Sequence, residues 1–262
     1  MLNNLILIKK YINYLFKAKT RHGVHSPFVY MLIEDCIYKK VKHKEFAIIE
    51  NIRKELLNSS EIIEITDFGA GSKINNTKKR AVSDIARKSA KSKKYGKLLY
   101  NLCLYYKPKT GLELGTSLGI SGLYQVLGNK VMNFHTMEGC PNTAEIAQKN
   151  FKKAGFEDIN ITVGNFNITL PEVLSKIDVL DYAFFDGNHQ KDATISYFEQ
   201  CLIKVQNDSF FVFDDIHWSK GMEEAWDYIK AHPRVTISLD LFMVGIVFFR
   251  KEQPKQHFVI RY

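Results

Sequence analysis

The chain has no apolar run of membrane-spanning length. Its apolar runs, such as LILI at 5–8, fall far short of the roughly 20 residues that a helix across a bilayer needs. Lys9 and Lys10 follow that run instead of preceding it, the wrong order for a secretory signal, so a cytoplasmic location is the expectation. Cysteine is sparse: Cys36, Cys103, Cys140 and Cys201 are widely spaced and form no CxxC pair. That spacing indicates neither a zinc site nor a disulfide framework, and reduced thiols are expected. With 15 glycines and 6 prolines, and no internal repeat, a fibrous or low-complexity chain is excluded.

What is present is an ordinary globular composition: 45% hydrophobic and 25% charged over 262 residues, enough for one large α/β domain with an extension. The net charge of +9 is unevenly spread. Residues 1–110 hold 23 Lys/Arg against 9 Asp/Glu, while the remainder holds 14 against 19. Within the basic half, 73–97 carries ten Lys/Arg and a single acid, Asp84. Such an arm suits an anionic substrate, nucleic acid or an anionic surface, and equally a set of solvated helix faces.

From about residue 110 strand-like and helix-like patterns alternate. TGLELG, VMNFHTMEG, INITVGNF, VLDYAFFDGNH and SFFVFDDIHW read as strands. Between them SGLYQVLG, PNTAEIAQKNFKKAG, TLPEVLSKI and ATISYFEQCLIKV read as helices, with Pro141 at a helix start and Gly155 at its end. KGMEEAWDYIKAHP adds a helix, and VTISLDLF with VGIVFFR forms an expected antiparallel pair. This alternation predicts a parallel sheet covered on both faces, with ligands beyond the carboxyl ends of its strands. A basic, mainly helical N-terminal extension is expected over 1–109 and the ligand-binding domain over 110–262. In LILIKKYINYLF, apolar residues at 5, 8, 12, 15 and 16 approximate a helical stripe, expected to pack on the domain or on a second copy of the chain.

Two glycine turns follow strand-like runs: TDFGAGS at 66–72 and ELGTSLGIS at 113–121. Only the second is followed by a helix and then a strand ending in a carboxylate, Glu138, about twenty residues on, where a ribose would be bound. TDFGAGS is therefore expected to be a loop with another task. A dinucleotide fingerprint would place glycines where Ser117 and Ile120 stand, which argues against a nicotinamide cofactor.

ELGTSLGIS instead resembles the first motif of class I S-adenosylmethionine-dependent methyltransferases, and is similar to the pattern of catechol O-methyltransferase-like enzymes. The resemblance runs from about 105 to 250. It implies a Rossmann-like, doubly wound, seven-stranded, mostly parallel sheet with an antiparallel last strand, and S-adenosyl-L-methionine as cofactor. Carried over by position, Glu113, Gly115, Thr116, Ser117 and Gly119 surround its methionine end. Glu138 and Gly139 lie at the ribose, and Asn165 and Phe166 of VGNF at the adenine, where the family often has Gly-Asp.

Acids cluster at two further strand ends, Asp186 with His189 in FFDGNH, and Asp214 with Asp215 and His217 in FDDIHW. Ends of adjacent parallel strands lie about 5 Å apart, so three carboxylates there could hold Mg²⁺ and acidify a coordinated hydroxyl. The same acids could simply cap the following helices. The resemblance implies a metal Asp at Asp186 and an Asp-Asn pair at Asp214 and Asp215, and places Asp186 beside the cofactor as well. DGNH is also similar to the DGxH of metal-dependent sugar O-methyltransferases, which makes His189 the candidate general base. His217 and Trp218 are candidates for the substrate pocket or for packing, and Asp181, at a strand start, for a cap or pair. RHGVHSPF at 21–28, with Arg21, His22 and His25, suits a lid over the site or a helix-entry loop.

The expected reaction is methyl transfer to a hydroxyl of a small, anionic acceptor. An RNA methyltransferase would account for the basic arm, but the chain lacks an NPPY-like motif and an obvious RNA-binding module. A non-catalytic S-adenosylmethionine-binding protein is the other alternative.

Overall fold

A short run of apolar residues bounded by glycine or acid and buried on both faces makes each central strand, as parallel pairing under helices requires. The computed structural model describes residues 2–42, 44–66 and 79–262. In chain order it has helices α1 (Leu2–Lys17), α2 (Pro27–Leu32) and α3 (Phe46–Leu57), then strands β1 (Ile62–Glu64) and β2 (Lys79–Ala81). Helices α4 (Val82–Ser89) and α5 (Lys93–Tyr106) follow, and then β3 (Thr110–Leu114), α6 (Ile120–Gly128), β4 (Asn133–Glu138), α7 (Pro141–Lys153), β5 (Asn160–Val163) and α8 (Phe166–Ser175). The remainder is β6 (Tyr182–Phe185), α9 (Lys191–Leu202), β7 (Phe210–Asp214), α10 (Lys220–Ala231), β8 (Ile237–Asp240), β9 (Val244–Phe248) and β10 (Gln256–Val259). The chain forms two compact units, one of residues 39–177 and one of 1–38 with 178–262.

In the first unit β3, β4 and β5 pair in parallel, in that order, and β1 pairs with β2 antiparallel. Glu113 is the register partner of Thr136. Pro141 opens α7, where its missing N–H costs nothing, and Lys152 and Lys153 occupy the last turn, favourable to the helix dipole. Gly155, at φ +84°, ends the helix as the sequence predicts. Gly128 lets α6 approach α5: a Cβ there would lie 2.4 Å from the Tyr100 carbonyl oxygen.

In the second unit the strand order is β6-β7-β9-β8-β10. Only β9 runs against its neighbours; β6 with β7, and β8 with β10, are parallel. Every residue of β6, β7, β8 and β9 is buried. The expected mostly parallel α/β layering is present, antiparallel strand included. The chain then adds β10, so β3 to β10 make eight strands with this pattern instead of seven.

Helix α1 packs on the unit through its aromatics and leaves part of the apolar stripe open. Ile8, Ile12 and Phe16 of the apolar stripe are exposed, Phe16 by 87%. Tyr14 is buried, and with Tyr11 it packs against the ring of Phe242. The Tyr14 hydroxyl donates to the Ile260 carbonyl and accepts from the Tyr262 amide, so the N-terminal helix is sewn to the last residues of the chain. No helix of the described residues is long and apolar enough to cross a membrane. All four cysteines are free and buried.

Candidate functional site

The two glycine turns have separate fates. Residues 67–78, most of TDFGAGS and the start of the basic stretch, lie outside the described residues. Thr66, just before them, donates its amide to the Cys140 thiol at 3.4 Å.

The turn after β3 is built from left-handed backbone. Gly115 (φ +104°), Ser117 (φ +48°) and Gly119 (φ +82°) all have positive φ, and the two glycines adopt it without a Cβ clash. The amides of Gly115 and Thr116 both donate to the Met137 carbonyl, at 2.9 and 3.0 Å, so the turn is fastened to the end of β4. The Gly119 amide closes it on the Thr116 carbonyl at 2.9 Å. Glu138, the last residue of β4, accepts the Ser117 amide at 2.8 Å and the Cys140 amide at 2.9 Å, one on each carboxylate oxygen. Gly139 lies between those two contacts in sequence.

At the end of β5 the Gly164 amide donates to the Glu138 carbonyl at 2.9 Å. Asn165 then caps α8, its side chain accepting from the Asn167 amide, and Phe166 is buried at the first position of that helix. The carboxyl ends of three adjacent parallel strands thus bring together Gly115, Thr116, Ser117, Gly119, Glu138, Gly139, Asn165 and Phe166. The turn presents half-buried left-handed backbone at Gly115 and Ser117, with the half-buried Glu138 carboxylate beside it.

Glu113 lies deeper than Gly115 and Ser117. It is wholly buried, accepting from Ser121 Oγ at 2.7 Å, Gln125 Nε2 at 2.6 Å and Thr136 Oγ1 at 2.6 Å. Burial pushes its carboxyl up to about 7, and the three donors and the charge of Lys91 hold that rise in check. Sequence reasoning assigns no role to Ser121, Gln125 or Thr136; the signal is two polar residues, Ser121 and Gln125, one helical turn apart on an otherwise mainly apolar α6.

In the other unit, Asp186 directly follows β6 and Asp214 ends β7, and the register Phe185 to Phe213 sets the two acids level. His189 Nε2 lies 3.8 Å from Asp186 Oδ1. The turn between them passes through Asn188 at φ +55°, whose side chain donates to the Tyr197 hydroxyl at 3.1 Å. Asp214 is buried, and Asp215, at φ +55°, turns the chain out of the strand. Among the described residues no group of three or more His, Cys, Asp or Glu side chains is placed to hold a metal ion. The expected Mg²⁺ set of Asp186, Asp214 and Asp215 is not assembled among them.

His217 is held between two carboxylates, Nε2 2.8 Å from Asp240 Oδ2 and Nδ1 3.2 Å from Glu223 Oε1. Burial pulls its pKa down, but Asp240 and then Glu223 outweigh that and carry it above the ordinary histidine value. Trp218 is exposed by 62%, so it is not core packing. Asp181 pairs with Gln206 Nε2 at 2.7 Å, as expected of a strand-start acid. In RHGVHSPF, Arg21 grips Glu34 with one guanidinium nitrogen at 2.8 and 2.9 Å, and Ser26 caps α2. That segment has the contacts of a helix-entry loop.

Residues 112–216 match the family model described as a methyltransferase domain. The chain is 27% identical over 164 residues to the O-methyltransferase imqG of Aspergillus flavus, an alignment covering 60% of this chain and 63% of that relative. The fold is shared with the O-methyltransferase of Bacillus cereus solved with S-adenosylhomocysteine, at TM-score 0.54 and 22% identity, over 62% of this chain and 83% of that one. It is also shared with the methyltransferase PaMTH1 of Podospora anserina, likewise bound to S-adenosylhomocysteine, at TM-score 0.60 and 16% identity, over 86% and 94%.

Proposed function

We propose that this protein transfers a methyl group from S-adenosylmethionine to a hydroxyl of a small, anionic molecule. The observation that carries the reading is Glu138 at the end of β4, its carboxylate latched to the left-handed turn at Ser117. Glu138 and Gly139 would hold the ribose; Gly115, Thr116, Ser117 and Gly119 the methionine end; Asn165 and Phe166 the adenine. When bound, the cofactor supplies an electrophilic methyl on a sulfonium. His189 is the general base for the acceptor hydroxyl, and Asp186 orients its ring and stabilises the imidazolium that forms. Proton removal by a positioned base contributes on the order of 10²–10⁴ in rate, with in-line positioning supplying much of the remainder.

The first 109 residues would serve as an extension making lid, acceptor or dimer contacts, and residues 110–262 as the domain that binds the cofactor. The exposed face of α1 at Ile8, Ile12 and Phe16 suits contact with a second copy of the chain. A second reading, RNA as acceptor, is favoured by the exposed Lys79, Arg87, Lys88, Lys93 and Lys94; it requires RNA affinity to fall more than about tenfold between low and moderate salt.

The test is calorimetric titration with S-adenosylhomocysteine, with and without Mg²⁺, of the unaltered chain and of Glu138→Ala and His189→Gln. The reading expects micromolar binding that Glu138→Ala abolishes and His189→Gln leaves intact. Dependence on Mg²⁺ would restore a metal to Asp186, Asp214 and Asp215. Absence of binding under both conditions overturns the reading.

A further inference from the structure

A chain of hydroxyls leads from the buried carboxylate of Glu113 into the cofactor turn. Glu113 and Thr136 are register partners on β3 and β4, and the Thr136 hydroxyl donates to Glu113 Oε2 at 2.6 Å. Thr136 Oγ1 also lies 2.6 Å from Thr116 Oγ1. A threonine hydroxyl has one proton, and that of Thr136 is committed to the carboxylate, so Thr116 is the donor in the second bond. The order is Thr116 to Thr136 to Glu113, and all three residues have no exposed surface. The other carboxylate oxygen is filled by Ser121 and Gln125 from α6, which leaves Thr136 as the branch leading to the turn.

We propose that Thr136 and Glu113 are positioning residues for cofactor binding: their hydroxyl chain fixes Thr116, and through it the left-handed Ser117 and Gly119, in the receiving conformation. The inference rests on the methyltransferase reading above. The Thr116 side chain is directed inward to Thr136, while its carbonyl accepts the Gly119 amide. A turn containing a non-glycine residue at positive φ resists relaxation only where its surroundings over-determine it. Releasing Thr116 lets the turn populate other conformations, and affinity falls by the fraction that remains competent.

The test compares Thr136→Val with Thr136→Ser and Gln125→Leu in S-adenosylhomocysteine titrations, with melting temperatures measured in parallel. Gln125→Leu removes a comparably buried bond to the same carboxylate from further along α6, outside ELGTSLGIS. The expected result is an affinity loss of about tenfold in Thr136→Val, recovery to within about threefold in Thr136→Ser, and near-unaltered affinity in Gln125→Leu despite a lower melting temperature. Thr116→Val cuts the same chain from its other end and replaces Thr136→Val if that variant does not fold. Unaltered affinity in both valine variants, or equal loss in Gln125→Leu, overturns the positioning role while leaving the cofactor reading intact. No binding by the unaltered chain overturns both.

Discussion

The Glu138 carboxylate accepts the amide of Ser117 at 2.8 Å across a gap of 21 residues, so the residue assigned to the ribose is also the latch of the glycine turn. Ser117 sits at φ +48°, a conformation that costs a non-glycine residue roughly 1–2 kcal/mol and persists only when something holds it. Glu138→Gln should therefore be intermediate. It keeps one acceptor oxygen for two amides, and the NH₂ it gains has no acceptor in them. Titration with S-adenosylhomocysteine should rank the unaltered chain, Glu138→Gln and Glu138→Ala in falling affinity, with about tenfold or more lost at the first step. Equal affinity for the first two would remove the latch from the account.

Gly119 and Gly155 have nearly the same backbone, φ +82° and φ +84°, but different surroundings. A Cβ at Gly119 would lie 3.3 Å from Phe151 Cζ and 3.4 Å from Ala147 Cβ, whereas one at Gly155 would meet nothing within 4 Å. Alanine at 155 should cost the left-handed penalty alone, about 1–2 kcal/mol in urea unfolding. Alanine at 119 should cost more, because α7 must shift, and should also weaken S-adenosylhomocysteine binding. Comparable losses at the two positions, with binding untouched, would count against Gly119 as part of the cradle.

How much of the site is legible in the sequence follows from what spacing encodes. Strand, glycine turn, helix, strand and terminal acid are consecutive features of one βαβ unit, so ELGTSLGIS and Glu138 can be matched to each other by spacing alone. The Thr116, Thr136 and Glu113 chain cannot, because it depends on the lateral register of two strands joined by a helix. Asp186 and Asp214 stand at neighbouring strand ends, as expected. Among the described residues they form no metal set with Asp215, which leaves the strand at φ +55°, a local geometry that composition does not encode. The stripe at 5, 8, 12, 15 and 16 does not disclose how α1 docks, which is through Tyr11 and Tyr14, amphipathic residues that a pattern of aliphatics overlooks.

The buried carboxyl of Glu113 gives stability a pH dependence of definite sign. Its folded value of about 7 exceeds the ordinary 4.5, chiefly through burial, so between those values the folded chain holds a proton that the unfolded chain has released. Stability from this group is complete below about pH 4.5 and is lost as pH rises through 7, by roughly 3 kcal/mol at most. Urea unfolding at pH 5 and pH 8 should show the unaltered chain losing stability over that interval relative to Glu113→Gln, which has no proton to lose. Parallel pH profiles for the two would show that Glu113 is ionised throughout.

The N-terminal helix is held to the loop after β7 by a cluster that lends itself to a double-mutant cycle. Lys10 Nζ lies 2.8 Å from Glu223 Oε2 and donates to the His217 carbonyl at 3.2 Å. Glu223 Oε1 in turn meets the His217 ring, which is stacked on Phe242 and anchored at Asp240. An exposed ion pair contributes about 0.2–1 kcal/mol. This one is partly buried and shares partners, so the coupling between Lys10→Met and Glu223→Gln should lie at or above the upper end of that range. Lys10→Met should also cost more than its charge alone, because it leaves the His217 carbonyl without that donor. Guanidinium chloride is unsuitable as denaturant, since its own ions screen the pair; urea at low salt preserves it. A coupling indistinguishable from zero would mean that α1 is seated by the Tyr11, Tyr14 and Phe242 rings alone, and a Phe242→Leu variant should then loosen the helix where Lys10→Met does not.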